Sequence, residues 1–152
     1  LGEFTIPVGV AEQLRTGTDI TLVSYGSTLR LVQIAAEKLA TMGINAEIID
    51  VQSLIPLDKT AVIGASVQKT NRLLIVDEDI PGGGSAYILS QLLEKQNIYQ
   101  YLDSQPMLLT AKEHRPAYGT DGDYFSKPSI EDIVEKVYAI MHDAKPSQFP
   151  AL

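Results

Sequence analysis

The sequence predicts an α/β domain with a largely parallel sheet. Short β-branched runs alternate with segments whose apolar residues recur at helical spacing. Glycines and prolines stand where one pattern gives way to the next, and no internal repeat or low-complexity segment interrupts the alternation. At 152 residues, with 45% hydrophobic and 20% charged content, the chain can bury one substantial core, so a single domain is expected over 1–152.

Residues 9–15 read as a short edge strand. Residues 19–25 (DITLVSY) form a strand that stops at Gly26, after which Leu29, Val32, Ala35, Ala36 and Leu39 mark one helical face up to Gly43. A second parallel strand covers 46–51. Asp58, after Pro56 and Leu57, is placed to cap a helix that runs to about Thr70. Residues 73–77 (LLIVD) are apolar enough for a strand buried on both faces. Gly82, Gly83, Gly84 and Ser85 open the next helix, expected to turn Ala86, Leu89, Leu92 and Leu93 inward, and Pro106 introduces a strand over 107–110. Ser129 and Asp132 make an S-x-x-D capping box ahead of an apolar stripe of Ile130, Ile133, Val134, Val137 and Met141. Between the last strand and that helix, 112–128 reads as a long loop, and 145–152, with two prolines, as a mobile tail.

Composition excludes several classes of function. With no Cys there is no disulfide framework, zinc ribbon or thiol nucleophile. No apolar run approaches the roughly 20 residues of a membrane span, so a soluble, cytoplasmic protein is expected. Leu1 in place of Met, without a basic stretch or long apolar core behind it, suggests part of a longer chain rather than a signal peptide. The net charge is −7. Residues 1–76 carry 6 basic and 7 acidic groups, and 77–152 carry 6 and 12. That balance argues against nucleic-acid phosphates as a partner and suits solubility or basic partners.

Candidate chemistry is sparse. The glycine run after LLIVDED fails G-x-G-x-x-G because position 87 is Tyr, and Asp77, Glu78 and Asp79 would repel a phosphate arriving there. Those acids could hold magnesium only weakly, since alternation lets Asp77 and Asp79 alone share a face. Neither Ser27 nor Ser85 sits in G-x-S-x-G, so a serine triad with His114 or His142 is not supported. His142, at the end of the last helix, complements its dipole. His114, Arg115, Tyr118, Tyr124 and Phe125 in the long loop fit an interface, where Arg and aromatics are enriched.

Taken together, IPVGVAEQLRTGTDITLVSYGSTL, AEIIDVQSLIPLD and KTNRLLIVDEDIPGGGSAYI resemble the C-terminal domain of transketolase-like enzymes. More narrowly they resemble that domain in the β subunit or β half of thiamine-diphosphate-dependent 2-oxo acid dehydrogenases. HRPAYGTDGDYFSKP resembles forms in which α and β parts are fused. The glycine turn departs from the common pattern, which has an aromatic between glycines and then an acid, where Gly84 and Tyr87 stand here.

The resemblance implies a three-layer α/β/α fold with five strands in the order 1-3-2-4-5, the first antiparallel. The topological switch then lies between the second and fourth strands, and a crevice of Tyr25, Gly26 and Ser27 on one side and Asp77, Glu78, Gly82, Gly83 and Gly84 on the other is the place for a small ligand. Thiamine diphosphate and magnesium belong to other domains of the parent enzyme, so no catalytic, cofactor-binding or metal residue is expected in this chain. The implied partners are the enzyme's other domains or α subunit, a second β part across a two-fold axis, and the basic peripheral subunit-binding domain of the acyltransferase. Transketolase or deoxyxylulose phosphate synthase relatives, and a free-standing small-ligand module, are the alternatives.

Overall fold

A computed structural model describes residues 5–116, 118, 119 and 121–151. The strands are β1 (Glu12–Arg15), β2 (Ile20–Ser24), β3 (Ala46–Asp50), β4 (Leu73–Val76) and β5 (Met107–Leu109). The helices are α1 (Thr28–Thr41), α2 (Val62–Thr70), α3 (Gly84–Lys95), α4 (Gly122–Ser126) and α5 (Ile130–Ala144), with a 3-10 turn at Ile98–Tyr101. The sheet order is β1-β3-β2-β4-β5, with β1 antiparallel to β3 and the rest parallel, as the resemblance implied.

The pleat sorts the core into two clusters. Ile20, Leu22, Ile48, Leu74 and Val76 meet α1 and α5 on one face, while Val23, Ile49, Leu73 and Ile75 meet α2 and α3 on the other. β2 hands the chain leftward through α1 to β3, whereas β4 hands it rightward through α3 to β5, and right-handed crossovers place those helices on opposite faces. The carboxyl ends of β2 and β4 therefore diverge, which creates the switch point.

Three local expectations are corrected, at the start of α2, on the inward face of α3 and within the long loop. Asp58 does serve α2, but from outside it: its carboxylate accepts from the amides of Val62 (3.1 Å) and Ile63 (2.8 Å), and the helix starts only at Val62. The buried line of α3 is Ser85, Ile88 and Leu92, with Ala86, Leu89 and Leu93 only half-buried, because the helix meets the sheet through one narrow stripe. The long loop contains α4, which the short apolar count of GDYFS concealed. The tail is laid against α5 as far as Pro150. Phe149 is buried, its carbonyl accepts from His142 Nδ1 at 2.7 Å, and Tyr138 donates to the Pro150 carbonyl at 3.0 Å. The capping box at Ser129 and Asp132 is present as expected. Among the described residues no helix is long and apolar enough to cross a membrane.

One buried acid lies within the sheet. Glu47 on β3 is 2% exposed and pairs with Lys69 of α2, and it also accepts from Gln13 Nε2 (3.1 Å) and the Gly17 amide (3.0 Å). Burial pushes its carboxyl up, but Lys69, Ser66 and the Gly17 amide outweigh burial and hold it below the ordinary carboxylate range. The tight approach that brings this amide in leaves no room at Gly17, where a Cβ would run into the backbone between Ala46 and Glu47.

Two outcomes follow from this corner. Gly17→Ala should lower the urea midpoint by an amount worth about 2–3 kcal/mol with an unchanged m-value. Because Glu47 is more acidic folded than unfolded, its contribution is complete above the unfolded glutamate range near pH ~4.3 and fades as pH falls through the lower folded value. Glu47→Gln should therefore lose stability at pH 7 and show a shallower decline on acidification, measured by thermal melts across pH.

Candidate functional site

Asp77 directly follows β4, and the alternation of the strand turns it toward the α2 and α3 face. Only 1% of it is exposed. A bare carboxylate there would be costly, so its oxygens are partnered in every direction the structure offers. Oδ1 accepts from the Tyr25 hydroxyl at 2.9 Å and from the Asp79 amide at 3.1 Å, and Oδ2 accepts from the Ser85 amide at 2.9 Å. Tyr25, just past β2, thereby ties the two diverging strands together. Burial, followed by the hydrogen bond to Asp77, pushes the Tyr25 phenol well above its ordinary range.

The glycine turn is shaped around this bond. Gly82 has φ +92°, a conformation that side chains rarely adopt. A Cβ at Gly84 would run into the Tyr25 hydroxyl, so the turn requires glycine there. Ser85 opens α3 with its amide on Asp77, so the helix N-terminus already holds an anion supplied by the chain.

Ser27 and Glu78 lie on the other face of the same switch point. They border a pocket of about 360 Å³ between the start of α1, the end of β4, α4 and the start of α5. Its walls include Leu31, Tyr124, Pro128 and Ile130, with Lys127 reaching Glu78 at 3.1 Å and Asp123 at 3.5 Å. Hydrogen bonds from Lys127 and Ser27 hold Glu78 below the ordinary carboxylate range. The crevice read from sequence is thus divided. Tyr25, Asp77 and Gly84 are packed into its floor, Ser27 and Glu78 open onto the pocket, and Gly26 and Gly82 have nothing within 4 Å of a would-be Cβ. Sequence reasoning missed Lys127 and Pro128, whose only signal was their place just before the capping box.

The loop residues gather at the same edge. His114 Nδ1 lies 2.8 Å from the Arg115 carbonyl, and its ring is 5.9 Å from that of Phe125. Lys112 Nζ sits 4.1 Å above Phe125, and Arg115 hydrogen-bonds to the Tyr118 hydroxyl while lying over its ring. Tyr118, Tyr124 and Phe125 remain exposed, at 85%, 66% and 60%.

The arrangement does not fit a diphosphate and its metal. Asp77 is spent on structural hydrogen bonds, Glu78 is paired, and among the described residues no group of three His, Asp or Glu is disposed to hold an ion.

Residues 9–127 match the family model described as transketolase, C-terminal domain. The chain is 38% identical over 132 residues to the pyruvate dehydrogenase E1 component subunit beta-1, mitochondrial, of Arabidopsis thaliana, covering 86% of this chain and 36% of that one. It is 32% identical over 142 residues to the pyruvate dehydrogenase E1 component subunit beta of Rhizobium meliloti, covering 93% and 30%. A split gene transketolase, described as an inactive beta4 tetramer, superposes with a TM-score of 0.72 at 21% identity, over 91% of this chain and 43% of that one. That likeness shows the fold alone. The chain spans about a third of the length of the curated relatives it matches.

Asp77→Ala removes the shared acceptor of the Tyr25 hydroxyl and of the Asp79 and Ser85 amides, the last of them buried, and should cost roughly 3 kcal/mol or more, whereas Tyr25→Phe removes one hydroxyl and should cost about 1 kcal/mol. Urea unfolding measures both. Equal effects would contradict the assigned hub role of Asp77.

Proposed function

Because the chain belongs to the transketolase C-terminal domain family, we propose that it is the third domain of the dehydrogenase (decarboxylating) component of a 2-oxo acid dehydrogenase of the pyruvate type. In this reading it assembles the enzyme and carries none of its chemistry. The relatives named above support the choice of enzyme. Thiamine diphosphate and magnesium sit in the enzyme's other domains, where the cofactor supplies the decarboxylation chemistry before the acyl group passes to lipoamide.

The observation that carries the reading is where apolar surface is left exposed. Among the described residues ten large hydrophobics are exposed, and seven of them lie at the carboxyl edge of the sheet, on loops and on α4. Ile55 follows β3, Ile80 follows β4, and Tyr118, Tyr124 and Phe125 follow β5. Ile6 and Val8 precede β1, whose first residue Glu12 pairs with Asp50 at the end of β3. An apolar rim of this kind marks a contact surface. The other domains, the α subunit and a second β part are its partners, in the cytoplasm. The acidic second half of the chain adds a field suited to a basic docking domain such as the acyltransferase's peripheral subunit-binding domain, with attraction that weakens as salt rises.

A small-effector module has one observation in its favour, the pocket beside Ser27 and Glu78. A rise in melting temperature with millimolar pyruvate, lost in Leu31→Trp, would favour that second reading.

The assembly reading is tested in the complete enzyme. Tyr124→Asp with Phe125→Asp should shift its sedimentation toward smaller species and lower its activity, while the 152-residue chain carrying the same changes keeps its melting temperature. Unchanged sedimentation would contradict the reading.

A further inference from the structure

A second surface lies along the free edge of β1, away from the carboxyl edge. A groove of about 510 Å³ runs between β1 and α1, with Leu14, Ile34 and Ile48 as apolar lining and Arg15 and Arg30 beside them. Arg15 pairs in register with Ile48, whose side chain packs against α1, so Arg15 projects onto that same face. Arg30, Ile34 and Glu37 follow at i, i+4 and i+7 on one face of α1.

The charges in this groove are unmatched. Among the described residues neither Arg15 nor Arg30 makes an ion pair, although the chain has 19 acidic against 12 basic residues. Arg15 Nε is also buried without a hydrogen-bond partner. Two guanidiniums in one groove repel until an anion lies with them, and their planar forks match carboxylates. The sheet ends at β1, so one side of its backbone is free for another strand. β1 has only four residues, with a register shift between Gln13 and Arg15, which disfavours indiscriminate edge pairing and leaves the choice of partner to side chains.

We propose that this groove binds an acidic peptide segment in extended conformation, which adds to the edge of β1 and places carboxylates on Arg15 and Arg30. The apolar lining takes the segment's alternate side chains. Glu37, about 10 Å along α1 from Arg30, repels acid at its end and so sets the direction in which the segment lies. The inference is independent of the assembly reading, which concerns the carboxyl edge.

Fluorescence anisotropy with a labelled peptide of alternating Glu and Val tests it on the 152-residue chain. Saturable binding that weakens with salt is expected. Arg15→Gln and Arg30→Gln should each weaken it by about tenfold, with Lys136→Gln, beside the β5 edge, without effect. Arg30 is exposed, so its variant keeps the test alive if Arg15→Gln fails to fold. No binding, equal binding of an alternating Lys and Val peptide, or indifference to both arginine variants would overturn the proposal. So would concentration-dependent dimerisation abolished by Arg30→Gln, which would make the occupant a second copy.

Discussion

The switch point of this domain depends on one buried carboxylate. Asp77 stands where β2 and β4 send the chain in opposite directions, the place at which an open α/β sheet ordinarily leaves a crevice. It accepts hydrogen bonds from the Tyr25 hydroxyl after β2, the Asp79 amide in the turn and the Ser85 amide in the first turn of α3. Burying that charge is tolerable because every partner donates to it and because the positive end of α3 faces it. Gly84 must then lack a side chain, since Tyr25 occupies the space, and the angle at which α3 leaves the sheet follows from the Ser85 bond.

The same device recurs at the other helices. Asp58 serves the amides of α2, Ser129 and Asp132 cap α5, and Glu78 lies against Ser27 at the start of α1. At α2, α3 and α5 the chain's own carboxylates accept from amides at the helix N-terminus. What the carboxyl edge offers is apolar area: Ile55 and Ile80 on loops, and Tyr124 and Phe125 on α4. A centre tied by buried hydrogen bonds and a rim of exposed apolar side chains are the physical consequence.

Much of this was legible in the residues. Short apolar, β-branched runs located the five strands and 3.6-residue spacing the long helices, since a sheet covered on both faces favours continuous apolar strands while a helix packed on one side shows a stripe. The capping box of α5 was visible because its partners are three residues apart. Contacts between distant residues were not. Nothing in the sequence joins Tyr25 to Asp77 or Glu47 to Lys69, because fold topology alone brings them together. α4 was hidden by its five-residue length, and the packing of Phe149 beside Tyr138 and His142 left no local signal. The sequence already argued against a phosphate at the glycine run, and Asp77 occupies the Ser85 amide that a phosphate would use.

Native-state hydrogen exchange at the Ser85 amide tests the central claim most directly. If Asp77 locks the switch point, that amide exchanges only with global unfolding, at the protection of the β4 core amides around Leu74 and Ile75. Rapid exchange by local opening, comparable to exposed loop amides, would show that the crevice is free to open and would contradict the account.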